Sequence, residues 1–372
     1  MTARYHPRAR TGNASADPRT VGIARAWTAR AGAGDPAALA AVLDRVRETY
    51  RVPASRVADV LPPATPAVAG FCARWKLSPA LVWTLLVDAA KLDLGFGVSF
   101  RGQGRPRTRG PLSFENEPGY LRAMLAAFAG MLDSLDRPLT AAGYRRLHDD
   151  AVAGVRHPDG TPFETGFARR PWRCGFMWNI EGQLPMFPTI SREAWAELLG
   201  ERIVFVPRPT YLDRDLRALI PPGVGPSRCL VRLTWQPTQL RYCLAPTLRA
   251  QSVAVLRRVL PRRVQALLAR GRRAMSLAAA LPVPAERRAA ELAAIVRLCR
   301  DLELSHFFPD GNARTACTLV LHKLLLAQGY GPVVLEAPYV MDGYFSTPEM
   351  VACLERGFDH VRRVRAAFGD DA

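Results

Sequence analysis

Ser305-His306-Phe307-Phe308-Pro309-Asp310-Gly311-Asn312-Ala313-Arg314 separates two strongly helical patterns, and its reading decides the fold. Upstream, from Pro284 to about Leu304, Leu292, Ile295, Val296, Cys299 and Leu302 recur on one face of an amphipathic helix. Downstream, Thr315 to Gln328 carries Ala316, Leu319, Val320, Leu324 and Ala327 at helical spacing, and Gly329 with Pro332 beyond it stops the run. The arrangement is helix, tight loop, helix, which places the decapeptide at the start of a helix inside a mainly α fold.

Such a loop gathers backbone N–H groups at the positive end of a helix, an arrangement that attracts phosphate. Gly311 lets a ligand approach the backbone, and Arg314 in the first turn adds a fixed positive fork for a phosphate oxygen. Asp310 offers a hard carboxylate suited to Mg²⁺. His306, at the end of the preceding helix, can accept a proton from a hydroxyl attacking phosphorus, and Phe308 reads as the apolar plug that fixes the loop. Taken singly, a histidine at a helix end is a structural residue and Asp-Gly-Asn is a turn; their conjunction at this spacing carries the reading.

Working outward, Pro36 to Tyr50 and Pro79 to Leu94 read as helices, followed by a Gly/Arg-rich stretch from Gly95 to Gly110 that reads as a mobile loop. Helices resume over Pro118 to Leu135 and again after Thr140, a suitable cap for the run through Tyr144, Leu147, Ala151 and Val155. Between Gly160 and Pro246 short β-prone runs replace them: Gly175 to Ile180, Ile203 to Val206, and Cys229 to Trp235 facing Leu240 to Leu244 as a hairpin. His148 and His157 lack spaced metal partners and read as structural or exposed, and His322 reads as a surface residue beyond reach of the loop. Trp172 and Trp178 flank a strand and read as core rather than as a base-stacking platform; Tyr339, Tyr344 and Phe345 are candidates for core or for lining a nucleoside pocket.

With 372 residues and 49% hydrophobic content, the chain can bury one large or two ordinary cores. No apolar run approaches the roughly 20 residues needed to cross a bilayer, so no membrane span is expected. Seven scattered cysteines without a C-x-x-C pair indicate neither zinc nor a disulfide framework, and fit a reducing compartment. The net charge of +18 rests almost wholly on arginine. Arg257, Arg258, Arg262, Arg263, Arg270, Arg272 and Arg273 fall within one helical pattern, readable as a solvated face or as a surface for an acidic partner or nucleic acid.

The run His306-x-Phe308-x-Asp310-Gly311-Asn312-x-Arg314 resembles the signature H-x-F-x-D/E-G-N-G-R-x-x-R of the Fic (Fido) family, and the flanking helices match its context. Pro138-Leu139-Thr140 to His148, Gly154-Val155 and Gly166-Phe167-Ala168-Arg169 resemble the family's early helix and turn. The resemblance implies a Fic-type helical bundle with a small β-hairpin flap, supplied either by Arg173 to Ile180 or by Cys229 to Leu244. It implies His306 as general base and Asp310 as the Mg²⁺ ligand. Gly311, Asn312 and Ala313 would form the anion hole, with Arg314 on the donor's phosphates. The implied activity is transfer of a nucleoside monophosphate, AMP from ATP foremost, to a Ser, Thr or Tyr hydroxyl that a target protein presents in an extended segment.

Two positions depart from the signature. Ala313 replaces Gly, and Cys317 replaces the second Arg, which in AMP-transferring members grips the outer phosphate of ATP. Arg314-Thr315-Ala316 and the leucine-rich helix resemble instead the Doc toxins, which implies protein phosphorylation, or transfer of another phosphate-containing group, as the alternative. A Fic-like fold without activity, binding partners through its basic surface, is the reading from a different class. No S/T-x-x-x-E-G/N inhibitory motif is found. The expected organisation is a disordered leader (1–34), a helical N-terminal region ending in the Gly/Arg-rich loop (35–110), and a Fic-like catalytic domain (111–372, core about 135–360). The expected location is the cytoplasm, or a host cell after secretion from a bacterium.

Overall fold

The computed structural model describes residues 61–87, 119–156, 160–167, 177–178, 190–206, 214–220, 222, 223, 225, 229, 231–236, 241–246, 253–335 and 338–367. The helix expected at Pro36 to Tyr50, the Gly/Arg-rich stretch, His157 and Trp172 lie outside these residues.

The fold is mainly α. Helix α1 (Pro66–Trp75) starts where the Thr65 hydroxyl accepts the Val68 N–H at 3.2 Å and proline occupies the first turn. A 3₁₀ helix (Pro79–Leu86) follows, and α2 (Tyr120–Leu132) lays Met124, Leu125 and Phe128 into the core. Helix α3 (Ala141–Ala151) is capped as expected, Thr140 accepting the Gly143 N–H at 3.0 Å. Helix α4 (Arg192–Gly200) begins at Ser191, which caps Ala194, and a short α5 (Arg214–Ala218) follows. Helix α6 (Val253–Ala279) forms a long hairpin with α7 (Pro284–Ser305). Gly271 permits their close approach, because a Cβ there would come within 2.5 Å of Leu298.

The helix after the loop opens with π-type turns over Arg314–Val320 and becomes regular as α8 (Leu321–Ala327). A 3₁₀ turn (Pro338–Met341) and α9 (Thr347–Ala367) complete the bundle. Leu292, Ile295, Val296, Cys299 and Leu302 of α7 are all buried, as their spacing predicts. They meet Leu319, Val320, Leu321 and Leu325 of the following helix in one core that also takes in Phe71, Trp83 and Phe128. Among the described residues no helix is long and apolar enough to cross a membrane.

The β-prone runs assemble into one four-stranded sheet of order β1-β4-β3-β2. Its centre is the expected hairpin, β3 (Val231–Gln236) antiparallel to β4 (Arg241–Pro246), with Val231 opposite Pro246 and Gln236 opposite Arg241. At one edge β1 (Met177–Trp178) pairs antiparallel with β4, and at the other β2 (Val204–Phe205) pairs parallel with β3. The two segments expected as alternatives for a flap therefore contribute strands to the same sheet. A second core, of Trp195, Leu198, Ile203 and Val204, includes Leu304 of α7 and Tyr344, so Tyr344 packs in a core.

His322 corrects the sequence reading. It is 2% exposed, not a surface residue. Its Nδ1–H donates to the Thr318 carbonyl at 2.8 Å, and Nε2 receives the Val333 N–H at 3.3 Å. This neutral tautomer is satisfied within the core, and burial pushes the pKa down to about 4.

Candidate active site

The loop begins where α7 ends in a left-handed residue. His306 has φ 46°, and its N–H bonds back to the Glu303 carbonyl at 3.0 Å. Its Nδ1 lies 2.8 Å from the same carbonyl. A carbonyl oxygen only accepts, so Nδ1 carries a proton in this contact. The imidazole is 18% exposed, and the buried Glu303 carboxylate stands 3.7 Å from Nδ1. The orientation of the His306 ring is thus set from within the helix that carries it.

Phe307 and Phe308 are buried, and Asn312 closes the loop over them. The Asn312 side chain accepts the Phe308 N–H and donates to the Phe308 carbonyl, both at 3.0 Å. Its carboxamide therefore shapes the loop, and any anion would meet its main chain. Gly311 takes φ 71°, a conformation that L side chains seldom adopt. The helix's own bonding starts with the Thr315 N–H to the Gly311 carbonyl at 3.1 Å, so the N–H groups of the first turn at Asn312 and Ala313 precede it. The Thr315 hydroxyl adds a second bond to Gly311 at 2.8 Å.

Asp310 is exposed and takes the Gly311 N–H on Oδ1 at 2.7 Å. Among the described residues no cluster of three or more His, Cys, Asp or Glu side chains could hold a metal. A single exposed carboxylate suits Mg²⁺, which keeps waters and draws its remaining ligands from substrate phosphates. Arg314 is 6% exposed, its guanidinium lying 4.8 Å from the ring centroids of both Tyr120 and Phe163. Two aromatic faces thus hold the cation in one orientation at the foot of the loop.

Cys317 stands where the signature has its second arginine. It is buried, with Sγ 3.9 Å from the Glu303 carboxylate. Burial pushes its thiol well up, and Glu303 and Asp342 push it further, so this position is electronegative and the thiol inert. Among the residues whose side chains are described, Cys72, Cys229, Cys299 and Cys353 are also buried and outside any disulfide.

Sequence reasoning passed over one participant. His148 of α3 is fully buried, and its Nε2 lies 2.9 Å from the Asp310 carbonyl. Its ring stacks on Phe308 with centroids 3.7 Å apart, and Phe308 stacks in turn on Phe167 at 5.2 Å. Asp149 faces Nδ1 at 3.2 Å and accepts the Gly166 N–H at 2.7 Å. Burial lowers the His148 pKa below its usual value. The loop is thereby keyed to a helix more than 150 residues away in sequence, and only the proximity of His148 to the Pro138–Thr140 turn hinted at it.

Helix α7 is itself anchored. Fully buried Arg300 donates to Glu197 of α4 and to Glu201, the residue that caps that helix, each at 2.9 Å, and Glu197 also takes the N–H and hydroxyl of Thr347 at the start of α9. Asp301 pairs with Arg270 of α6, yet burial holds its carboxyl up to about 6. His306 and the sheet-bearing segment are thus fixed to one scaffold.

No protein-family model and no curated protein matches the chain.

Proposed function

We propose that this chain is a Fic-type protein nucleotidyltransferase, moving a nucleoside monophosphate, AMP from ATP foremost, onto a Ser, Thr or Tyr hydroxyl of a target protein. The observation that carries the reading is His306, its Nδ1 fixed on the Glu303 carbonyl, four residues before the exposed carboxylate of Asp310 on a loop that opens a helix. In the reaction the hydroxyl oxygen attacks the α-phosphorus in line, its proton passes to His306 Nε2, and the bond to the diphosphate breaks. The first-turn N–H groups at Asn312 and Ala313 and the Arg314 cation face the developing charge. Asp310 would hold Mg²⁺, which when bound neutralises the diphosphate.

Among the described residues β1 is an edge strand, and its main-chain groups suit pairing with an extended target segment, which supports a flap role for the sheet that holds both candidate segments. Cys317 beside Glu303 supplies no cation for an outer phosphate, which favours the second reading: transfer of a single phosphate or another phosphate-containing group. The reaction would take place in the cytoplasm of the producing cell or of a host.

The test is intact-protein mass spectrometry of wild type and His306→Ala after incubation with ATP, GTP, CTP or UTP and Mg²⁺, with and without cell lysate. A nucleoside monophosphate gain that disappears in His306→Ala is expected. A single-phosphate gain selects the second reading, and the absence of any His306-dependent gain overturns both.

A further inference from the structure

The turn joining α6 to α7 reads Leu277-Ala278-Ala279-Ala280-Leu281-Pro282-Val283-Pro284-Ala285, without one polar side chain. Leu277 is 65% exposed and Val283 45%, the two exposed large hydrophobics among the described residues. Ala279, Ala280, Pro282, Pro284 and Ala285 are exposed beside them. The tip is held in shape: Ala280 and Leu281 donate to the Leu277 and Ala278 carbonyls, and the Arg287 guanidinium reaches back to the Leu281 carbonyl at 2.9 Å. This apolar projection is exposed among the described residues, and such a patch suits an interaction surface.

Its surroundings identify the partner. Helix α6 contains seven arginines and no acidic residue. Two of the seven are engaged by the protein itself, Arg270 by Asp301 and Arg272 by the Leu139 carbonyl. Arg258, Arg262 and Arg273 are exposed, and with Ala266, Ala269 and Leu277 they recur every three or four residues along one exposed stripe ending at the tip. Glu286, in the first turn of α7, is the exposed carboxylate nearest the tip in sequence. A protruding apolar end needs a medium it can enter, and a basic flank needs negative charge alongside. An anionic bilayer surface supplies both, acyl chains for Leu277 and Val283 and headgroups for the arginines.

We propose that the α6–α7 tip docks this protein onto an anionic lipid surface, inserting Leu277 and Val283 while Arg258, Arg262 and Arg273 lie along the headgroups. The contact is peripheral, and it is independent of the chemistry assigned to the loop.

The experiment uses the full chain with phosphatidylcholine vesicles, with and without phosphatidylserine, in a sedimentation assay at rising salt. Binding is expected only with phosphatidylserine and should weaken as salt rises. Leu277→Ser with Val283→Ser should weaken it roughly tenfold or more, and each of Arg258→Ala, Arg262→Ala and Arg273→Ala about fivefold. All five side chains are exposed, so the thermal midpoint should stay at the wild-type value. In Leu277→Trp, brominated acyl chains should quench the added emission. Equal binding to neutral vesicles, no loss in the double serine variant, or an unquenched tryptophan overturns the proposal. So does a tip-dependent dimer in sedimentation velocity without vesicle binding, which would assign the tip to a second copy.

Discussion

His148→Phe deletes both ring nitrogens while keeping a flat ring against Phe308, and so isolates the bond between Nε2 and the Asp310 carbonyl. That carbonyl is partly buried and would lose its donor, a cost of about 1–2 kcal/mol. Asp149 is 31% exposed and keeps the Gly166 N–H, so its loss adds little. His148→Gln reverses the dissection: the amide can reach the carbonyl, but the stack, worth about 0.5–1.5 kcal/mol, is gone. His148→Ala loses both and leaves a cavity, for about 3–5 kcal/mol, in line with other aromatic truncations. Urea unfolding measures these differences, and amide hydrogen exchange at Asn312 to Thr315 reports the loop directly. A shift of about 1 Å in the Asp310–Gly311 peptide should cost about 100-fold in turnover, with substrate affinity less affected. The reasoning is refuted if His148→Phe retains the wild-type midpoint and the wild-type exchange rates across the loop.

Gly311→Ala should destabilise by about 2–4 kcal/mol, since alanine at φ 71° is strained and its Cβ would lie 2.9 Å from Val152; adding Val152→Ala should recover only the steric part, as read by thermal unfolding. His322 has a folded pKa of about 4 against 6.5 unfolded, so below pH 6.5 the unfolded chain binds the extra proton. Its contribution is complete above pH 6.5 and is lost as pH falls to 4, about 3 kcal/mol in all, and urea midpoints of wild type against His322→Gln across that range should converge towards acid. Asp301, raised from 3.8 to about 6, has the opposite sign and makes the fold less stable as pH rises through that window, so Asp301→Asn should flatten that slope. Arg300→Met should cost about 2–4 kcal/mol in the same assay, because Glu197 and Glu201 lose their shared cation while remaining partly enclosed.

The helices around the loop were legible because their signals are local. Pro284 opens α7, the Thr140 hydroxyl caps α3, and Gly329 stands just past the end of α8. The hairpin could be read from two β-prone runs, but the addition of β1 and β2 depends on partners distant in sequence, which alternation within a strand cannot encode. His322 was misread for a related reason. A histidine looks like surface until its acceptors are known, and here one contact comes from the Thr318 carbonyl and the other from Val333 beyond the next turn. The site divides the same way. The roles assigned to His306, Asp310 and Arg314 follow from spacing along one loop, whereas His148 enters only when α3 folds against it, and Glu303 only when its carboxylate turns towards both His306 and Cys317.

The π-type turns at Arg314–Val320 mean that this stretch accommodates about one residue more than an α-helix of the same rise would. Removing a single residue there, for instance Thr318, would let the helix relax into regular α geometry. Because the wide turns already take up the extra residue, this deletion would leave Arg314 and the loop near their present azimuth relative to the leucines of α8. A deletion within regular α8 would instead rotate them by about 100°. The wide turns therefore absorb one residue of chain length without re-aiming the loop, and a chain shortened by one residue there would have a more regular helix pointing the loop much as before.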